Sequence, residues 1–189
     1  PLILINDGLG FRVNCVMIDF SWDKVEEKWS WVVKPHFEEL EPESEEQVKI
    51  WNEKRREAYE GSLPHFLKSL IDKKVAENGF EIYISHKTSE KVDPLEQYPA
   101  RDQIVVRDAL VPGEKLIQYP HFLKVVYLRG YMSRTPARYQ TSWLKLKQGR
   151  VTLDEHGYPQ DYQPFEVYGY WASLGVADLL PRYYFIDNP

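Results

Sequence analysis

Apolar and polar positions divide the chain into a β-rich start, a pair of helices and a second half of short β segments. Leu2–Ile5 and Phe11–Phe20 are rich in Val, Ile and Phe, and the turn-forming Asn6-Asp7-Gly8 separates them, which predicts two strands. Phe11, Val13, Cys15, Met17 and Asp19 alternate against Arg12, Asn14, Val16 and Ile18. That imperfect alternation predicts a strand covered on both faces. Trp22-Asp23-Lys24 predicts a tight reversal and Val25–Val33 a returning strand with Trp29 and Trp31 on one face. This hairpin is the expected early piece of the core, and Pro35 to Pro42 reads as an acidic connector.

Helical spacing begins at Ser44, with Gln47 three residues on as a capping box and Glu45 and Glu46 placed for the helix dipole. Val48, Trp51, Arg55, Ala58 and Tyr59 recur at that spacing, while Glu53, Glu57 and the run Lys54-Arg55-Arg56 fall to the wetter sides. Gly61 stops the helix, Ser62 caps the next, and Pro64 falls in a first turn where its missing N–H costs little. Leu63, Phe66, Leu67, Leu70, Ile71, Lys74 and Val75 form an i, i+3, i+4 stripe. Asn78-Gly79 is expected to close that helix, and Phe80–Ser85 runs off as a strand.

The second half is predicted to be loop-rich. Residues 87–119 read as loop, with Gln103–Arg107 as a short strand, and Phe122–Leu128 is a strand. Ser133–Gln140 is a turn or flexible loop. Ser142–Lys147 and Arg150–Asp154, joined by Gln148-Gly149, predict a hairpin; Pro164–Tyr170 predicts a strand and Ala172–Leu180 a short helix. The expected fold is α+β, an antiparallel sheet packed against a helical hairpin at about 44–78 in a single domain over 1–189.

Composition narrows the class. At 189 residues and 43% hydrophobic the chain is able to bury a core, and a net charge of −5 argues against nucleic acid as partner. The single cysteine, Cys15, excludes an internal disulfide, and its apolar setting predicts an inert buried thiol. No stretch reaches the roughly 18 apolar residues of a membrane span. The chain opens at Pro1 inside a predicted strand with no initiator methionine, which predicts a segment of a longer protein.

Candidate chemistry is sparse. His36-Phe37-Glu38-Glu39 has the His-x-x-Glu spacing of zinc carboxypeptidases, and His121 or His156 offers a third ligand. No Gly-Ser-Thr-rich segment follows it and no strand–turn–helix frames it, so it reads as a strand end leading into an acidic loop. His65 at a helix start reads as a packed histidine tying down the helix join. His86 and His156 fall in turns. Glu38, Glu39, Glu41, Glu43, Glu45 and Glu46 read as solvated carboxylates or partners of the helix dipole rather than a glycosidase pair. No nucleophile elbow, phosphate loop, His-Glu-x-x-His or EF-hand loop occurs. The Tyr168-Gly169-Tyr170-Trp171 cluster, with Tyr183-Tyr184 beyond, suits core, protein interface or ligand platform. Tyr168, Tyr170, Trp171 and Tyr183 are the candidate interface residues. No catalytic, cofactor-binding or metal-binding residue is assigned.

Leu2 to Phe11, Phe37-Glu38-Glu39-Leu40, Ala58 to Leu67, Gly79-Phe80-Glu81, and Gly169-Tyr170-Trp171 with Ala177 to Pro181 occur in an order that resembles a Bacteroidota family. These are the envelope proteins called carboxypeptidase-like regulatory domain-containing proteins. The matching region in that family follows a transthyretin-like regulatory β-sandwich, which itself cleaves no peptide. The resemblance implies the C-terminal part of an exported protein, periplasmic or outer-membrane associated, of no established activity. Relatives are typically very basic in the first helix, whereas Glu43, Glu45 and Glu46 dilute Lys54-Arg55-Arg56 here. The functional expectation is a non-enzymatic envelope module making protein–protein contacts, an accessory subunit of an outer-membrane assembly; a glycan-binding module is the alternative and a hydrolase the third reading.

Overall fold

The computed structural model describes residues 2–24, 28–88, 97–100, 103–132, 138–175, 178–182 and 184; the side chains of Ser21, Asp23, 28–33, 97–99, 130–132 and Arg138 lie outside that set. The fold class is α+β with antiparallel sheets. The chain divides into two compact units, 1–58 with 175–189, and 59–174.

The first unit holds β1 (Leu2–Asn6), β2 (Phe11–Asp23) and β3 (Lys28–Glu39) in one sheet of that order. Asn6 Oδ1 accepts the Leu9 N–H at 3.0 Å, closing the turn that the Asn-Asp-Gly sequence dictates. Phe11, Val13 and Cys15 are buried, as period-two alternation requires. The burial ends at Cys15, ahead of a register shift between Met17 and Asp19. Val16, Met17, Ile18, Phe20 and Trp22 are each 49–57% exposed. The expectation of cover on both faces fails, because the buried cluster of this unit ends at Cys15. The Trp29 and Trp31 side chains lie outside the described residues. β3 also runs through the expected acidic connector as far as Glu39, despite Pro35. Pro35 is tolerated because β3 is an edge strand, where one side of the backbone needs no ladder donor.

Helix α1 (Glu45–Tyr59) completes this unit. Ser44 Oγ accepts the Gln47 N–H at 3.2 Å, and Gln47 Oε1 reaches back to the Glu43 N–H at 2.6 Å, so the predicted cap forms one residue further out on its return arm. Trp51 and Arg55 form its buried face. Arg55 turns away from water to cap the backbone of the β1–β2 turn: Nε donates to Leu9 O at 2.7 Å and Nη2 to Gly10 O at 3.4 Å. Its guanidinium lies 4.0 Å from the Phe11 ring centroid. Trp51 Nε1 donates to Asp7 O at 2.7 Å, so two side chains of one helix face hold the same turn.

The second unit begins with α2 (Leu63–Ile71), capped by Ser62 Oγ, which accepts the His65 N–H at 3.3 Å. The helix stops at Ile71, one to two turns before the predicted Asn78-Gly79. Lys73 adopts a left-handed backbone with φ 60, and the Lys74 N–H bonds to Ser69 O at 2.8 Å with Lys73 N–H to Leu70 O at 3.3 Å. This is a Schellman ending built without glycine, which residue type alone does not signal. Asn78 instead ties the following turn back, its Nδ2 donating to Ser69 Oγ at 2.8 Å.

After the helix come β4 (Phe80–Ser85), β5 (Gln97–Pro99), β6 (Val105–Asp108), β7 (Lys115–Gln118), β8 (Phe122–Met132), β9 (Arg138–Leu146), β10 (Arg150–Leu153), β11 (Phe165–Gly169) and the single turn α3 (Tyr170–Ser173). They form a five-stranded sheet, β11-β9-β8-β4-β5, and a three-stranded sheet, β10-β7-β6. Phe66, Leu67 and Leu70 of α2 join Phe80, Ile84, Leu123, Val125, Leu144, Ile117, Val151 and Leu153 in one core. The predicted β9–β10 hairpin does not pair, because β8 and β11 already occupy both edges of β9; β10 joins β7 instead. The expected loop over 87–119 contains β5 and β7, strands of three and four residues, too short to show alternation. Of the expected helix at Ala172–Leu180, Ala172 and Ser173 belong to α3, Leu174 is already extended at ψ 140, and 176–177 lie outside the described residues.

Arg55→Met is expected to destabilise the first unit by about 2–4 kcal/mol, since it strips charged donors from two carbonyls of a buried turn. Glu39→Gln is expected to cost less than about 1 kcal/mol, because the 3.1 Å Arg55–Glu39 pair has its carboxylate 71% exposed. Urea midpoints of the two variants test the ranking.

Candidate functional site

The helix join that the sequence marks most strongly is a hub of the second unit. Gly61 has φ +78, and a Cβ there would lie 2.5 Å from the Tyr127 ring and 2.8 Å from Gln140 Oε1, so only glycine fits. Its peptide groups are held on both sides. The N–H donates to His65 Nδ1 at 3.0 Å, and the carbonyl accepts from Trp171 Nε1 at 2.8 Å across 110 positions of sequence. Ser142 Oγ accepts the Trp171 N–H at 3.1 Å, fixing α3 from a strand as well.

His65 packs among aromatic rings, with centroids 5.1 Å from Tyr59, 5.0 Å from Phe80 and 6.1 Å from Tyr127. Burial lowers its pKa from 6.5 to about 4, and the Arg129 charge adds to the effect. The ring is neutral at pH 7, which an acceptor Nδ1 requires. Burial also raises the Tyr127 hydroxyl, with the Glu60 charge second. The expected structural role for His65 matches this geometry.

The candidate interface residues separate. Tyr168 is 39% exposed, its hydroxyl donating to Glu166 Oε2 at 3.0 Å. Tyr170 is half-buried against the core. Trp171 is buried and committed to Gly61, so its assignment as an interface residue is corrected to a core role. Tyr183 lies outside the described residues.

Tyr168 belongs to a patterned outer face of the five-stranded sheet. The registers Tyr83↔Lys124, Phe122↔Lys145 and Lys145↔Glu166 place these residues together. Tyr83 repeats the Tyr168 arrangement, donating to Glu81 Oε2 at 2.9 Å, and that bond raises its hydroxyl above the ordinary range. Lys124 and Lys145 lie 5.9 and 5.6 Å from the Tyr83 and Phe122 centroids. Phe122 and Tyr168 meet edge to face at 79°, not as the coplanar platform that stacking on a sugar ring uses.

The hydrolytic candidates fall in different units. His36 is exposed on β3, and Glu39 binds Arg55; both belong to the first unit. His65, His121 and His156 belong to the second. His156 sits in a turn where Asp154 Oδ1 accepts the His156 and Tyr158 N–H groups at 3.0 and 2.9 Å. Among the described residues no three of His, Cys, Asp and Glu are grouped to hold a metal. A groove of about 710 Å³ is lined by Leu70, Val75, Phe80, Ile82, Ile104 and Val106, with Lys73, Glu81 and Tyr83 as its titratable lining. Of these three, the Tyr83 hydroxyl is bonded to Glu81 Oε2. No helix of the described residues is long and apolar enough to cross a membrane.

Two outcomes follow from the hub. Gly61→Ala is expected to cost about 3 kcal/mol or more, from the left-handed φ and the clash with Tyr127 together; Trp171→Phe, which keeps a ring but loses the donor, costs about 2 kcal/mol. The second concerns pH. The folded pKa of His65 lies below its unfolded 6.5, so the unfolded chain binds the extra proton. The His65 contribution to stability is complete above pH 6.5, declines as pH falls and levels off below about 4. The partly exposed ring loses about 1–2 kcal/mol across that window. His65→Asn retains an acceptor and is expected to flatten this component when urea midpoints are compared from pH 7.5 to 4.

No family model, curated protein or solved structure matches the chain.

Proposed function

We propose that this chain is a non-enzymatic module of the bacterial cell envelope that makes protein–protein contacts, as an accessory subunit of an outer-membrane assembly. One observation carries the contact-making part: Val16, Met17, Ile18, Phe20 and Trp22 stand about half exposed along one strand. Apolar side chains grouped in this way on a surface mark a binding face far more often than isolated ones do. Phe and Trp are also the residue types that dominate interface energetics. The envelope setting rests on the family resemblance of the Leu2–Phe11, Ala58–Leu67 and Gly169–Trp171 segments.

The test is affinity purification of the tagged parent protein from its native envelope, with mass spectrometry of what co-elutes. A specific outer-membrane or periplasmic partner is expected. Phe20→Glu/Trp22→Glu lowers its recovery by about tenfold or more, while Leu110→Glu, at a fully exposed site of the other unit, leaves recovery unchanged. A protein that elutes alone, or a partner retained by the double variant, overturns the reading.

A further inference from the structure

His86 follows β4 directly and His121 precedes β8, so they occupy the positions next beyond the Ser85–Phe122 rung that ends the β4–β8 ladder. Antiparallel pairing therefore sets the two imidazoles across from each other, 35 positions apart in sequence. Their ring centroids are 4.0 Å apart with planes tilted by 49°. Both residues are exposed, and no protein hydrogen bond occupies either side chain among the described residues. His121 also holds a left-handed backbone, φ 54, a conformation that a non-glycine residue adopts only when its surroundings fix it.

We propose that His86 and His121 form a two-imidazole binding site for a late first-row divalent cation, Ni²⁺, Cu²⁺ or Zn²⁺. Neutral imidazole is a borderline donor that suits these ions. Mg²⁺ and Ca²⁺ demand oxygen ligands instead, and no carboxylate joins the pair among the described residues. Water completes the coordination shell. Metal–nitrogen bonds of about 2.0–2.1 Å require the two exposed rings to swing apart and turn about χ1 and χ2 until a nitrogen of each faces one ion. The paired strands hold both ligand backbones in place before the ion arrives, which distinguishes this pair from two unconnected surface histidines.

The test is calorimetric titration of the whole chain, carrying no polyhistidine tag, with Ni²⁺ at pH 7.5. One ion per chain is expected. His86→Ala and His121→Asn each weaken binding by about tenfold or more, whereas His156→Ala leaves it unchanged. Asparagine is chosen because it accepts the left-handed backbone without supplying an imidazole. A Cu²⁺ electron paramagnetic resonance spectrum of the wild-type chain is expected to show two coupled imidazole nitrogens, and one in either variant. Absence of binding up to millimolar Ni²⁺, or wild-type affinity in either variant, overturns the site.

Discussion

The Gly61 peptide is the constraint on which the second unit depends. It is bonded locally through its N–H to His65, four residues on, and non-locally through its carbonyl to Trp171. The first bond fixes where α2 starts; the second fixes where the chain ends its passage through the five-stranded sheet. Both bonds work only with a particular chemistry. Nδ1 must be unprotonated to accept, so the aromatic burial that lowers the His65 pKa and the hydrogen bond that uses its lone pair select the same neutral state. The indole supplies a donor and no acceptor, which suits a carbonyl deprived of water. A left-handed φ and the Tyr127 ring over its Cα then exclude every residue but glycine.

The same hub explains what was legible in the sequence. Gly61, Ser62 and Pro64 act within a few residues of themselves, and the stop, cap and first turn they signal all occur where they stand. Signals that depend on partners far away were not legible. Trp171 lies in an aromatic cluster that suits core first, then protein interface or ligand platform, and the residue that fixes it in the core is Gly61, 110 positions earlier. β10 looks like the mate of β9 because a Gln-Gly turn joins them, yet whether β9 has a free edge is settled by β8 and β11. The early end of α2 rests on Lys73 in a conformation that its residue type does not advertise.

The first unit shows the same division from the opposite side. Arg55 satisfies a helical spacing rule and a wet-face rule at once, so sequence assigns it to both. Packing resolves the conflict: the guanidinium finds two turn carbonyls and an aromatic face, while its ion pair with Glu39 stays largely in water. β2 fails its rule in the other direction. Its apolar residues continue past Cys15, where the buried cluster of the unit ends, so a run that reads as strand core stands exposed. Fold physics within the described residues gives no use for that apolar surface, which is why it bears on function.

The remaining polar groups differ in whether the fold uses them. Glu39, Ser62, His65, Ser69, Asn78 and Asp154 each satisfy a backbone group or a neighbouring side chain. Their arrangement is accounted for by holding the chain together, and hydrolytic roles for Glu39 and His65 would compete with bonds already made. His86 and His121 differ: removing both would break no hydrogen bond among the described residues, yet the ladder brings their rings within 4.0 Å, with His121 in a left-handed backbone. A site is most convincing where geometry is imposed without any structural return, and in the second unit that condition is met beside the Ser85–Phe122 rung rather than at the Tyr168 cluster, whose hydroxyl is already bound by Glu166.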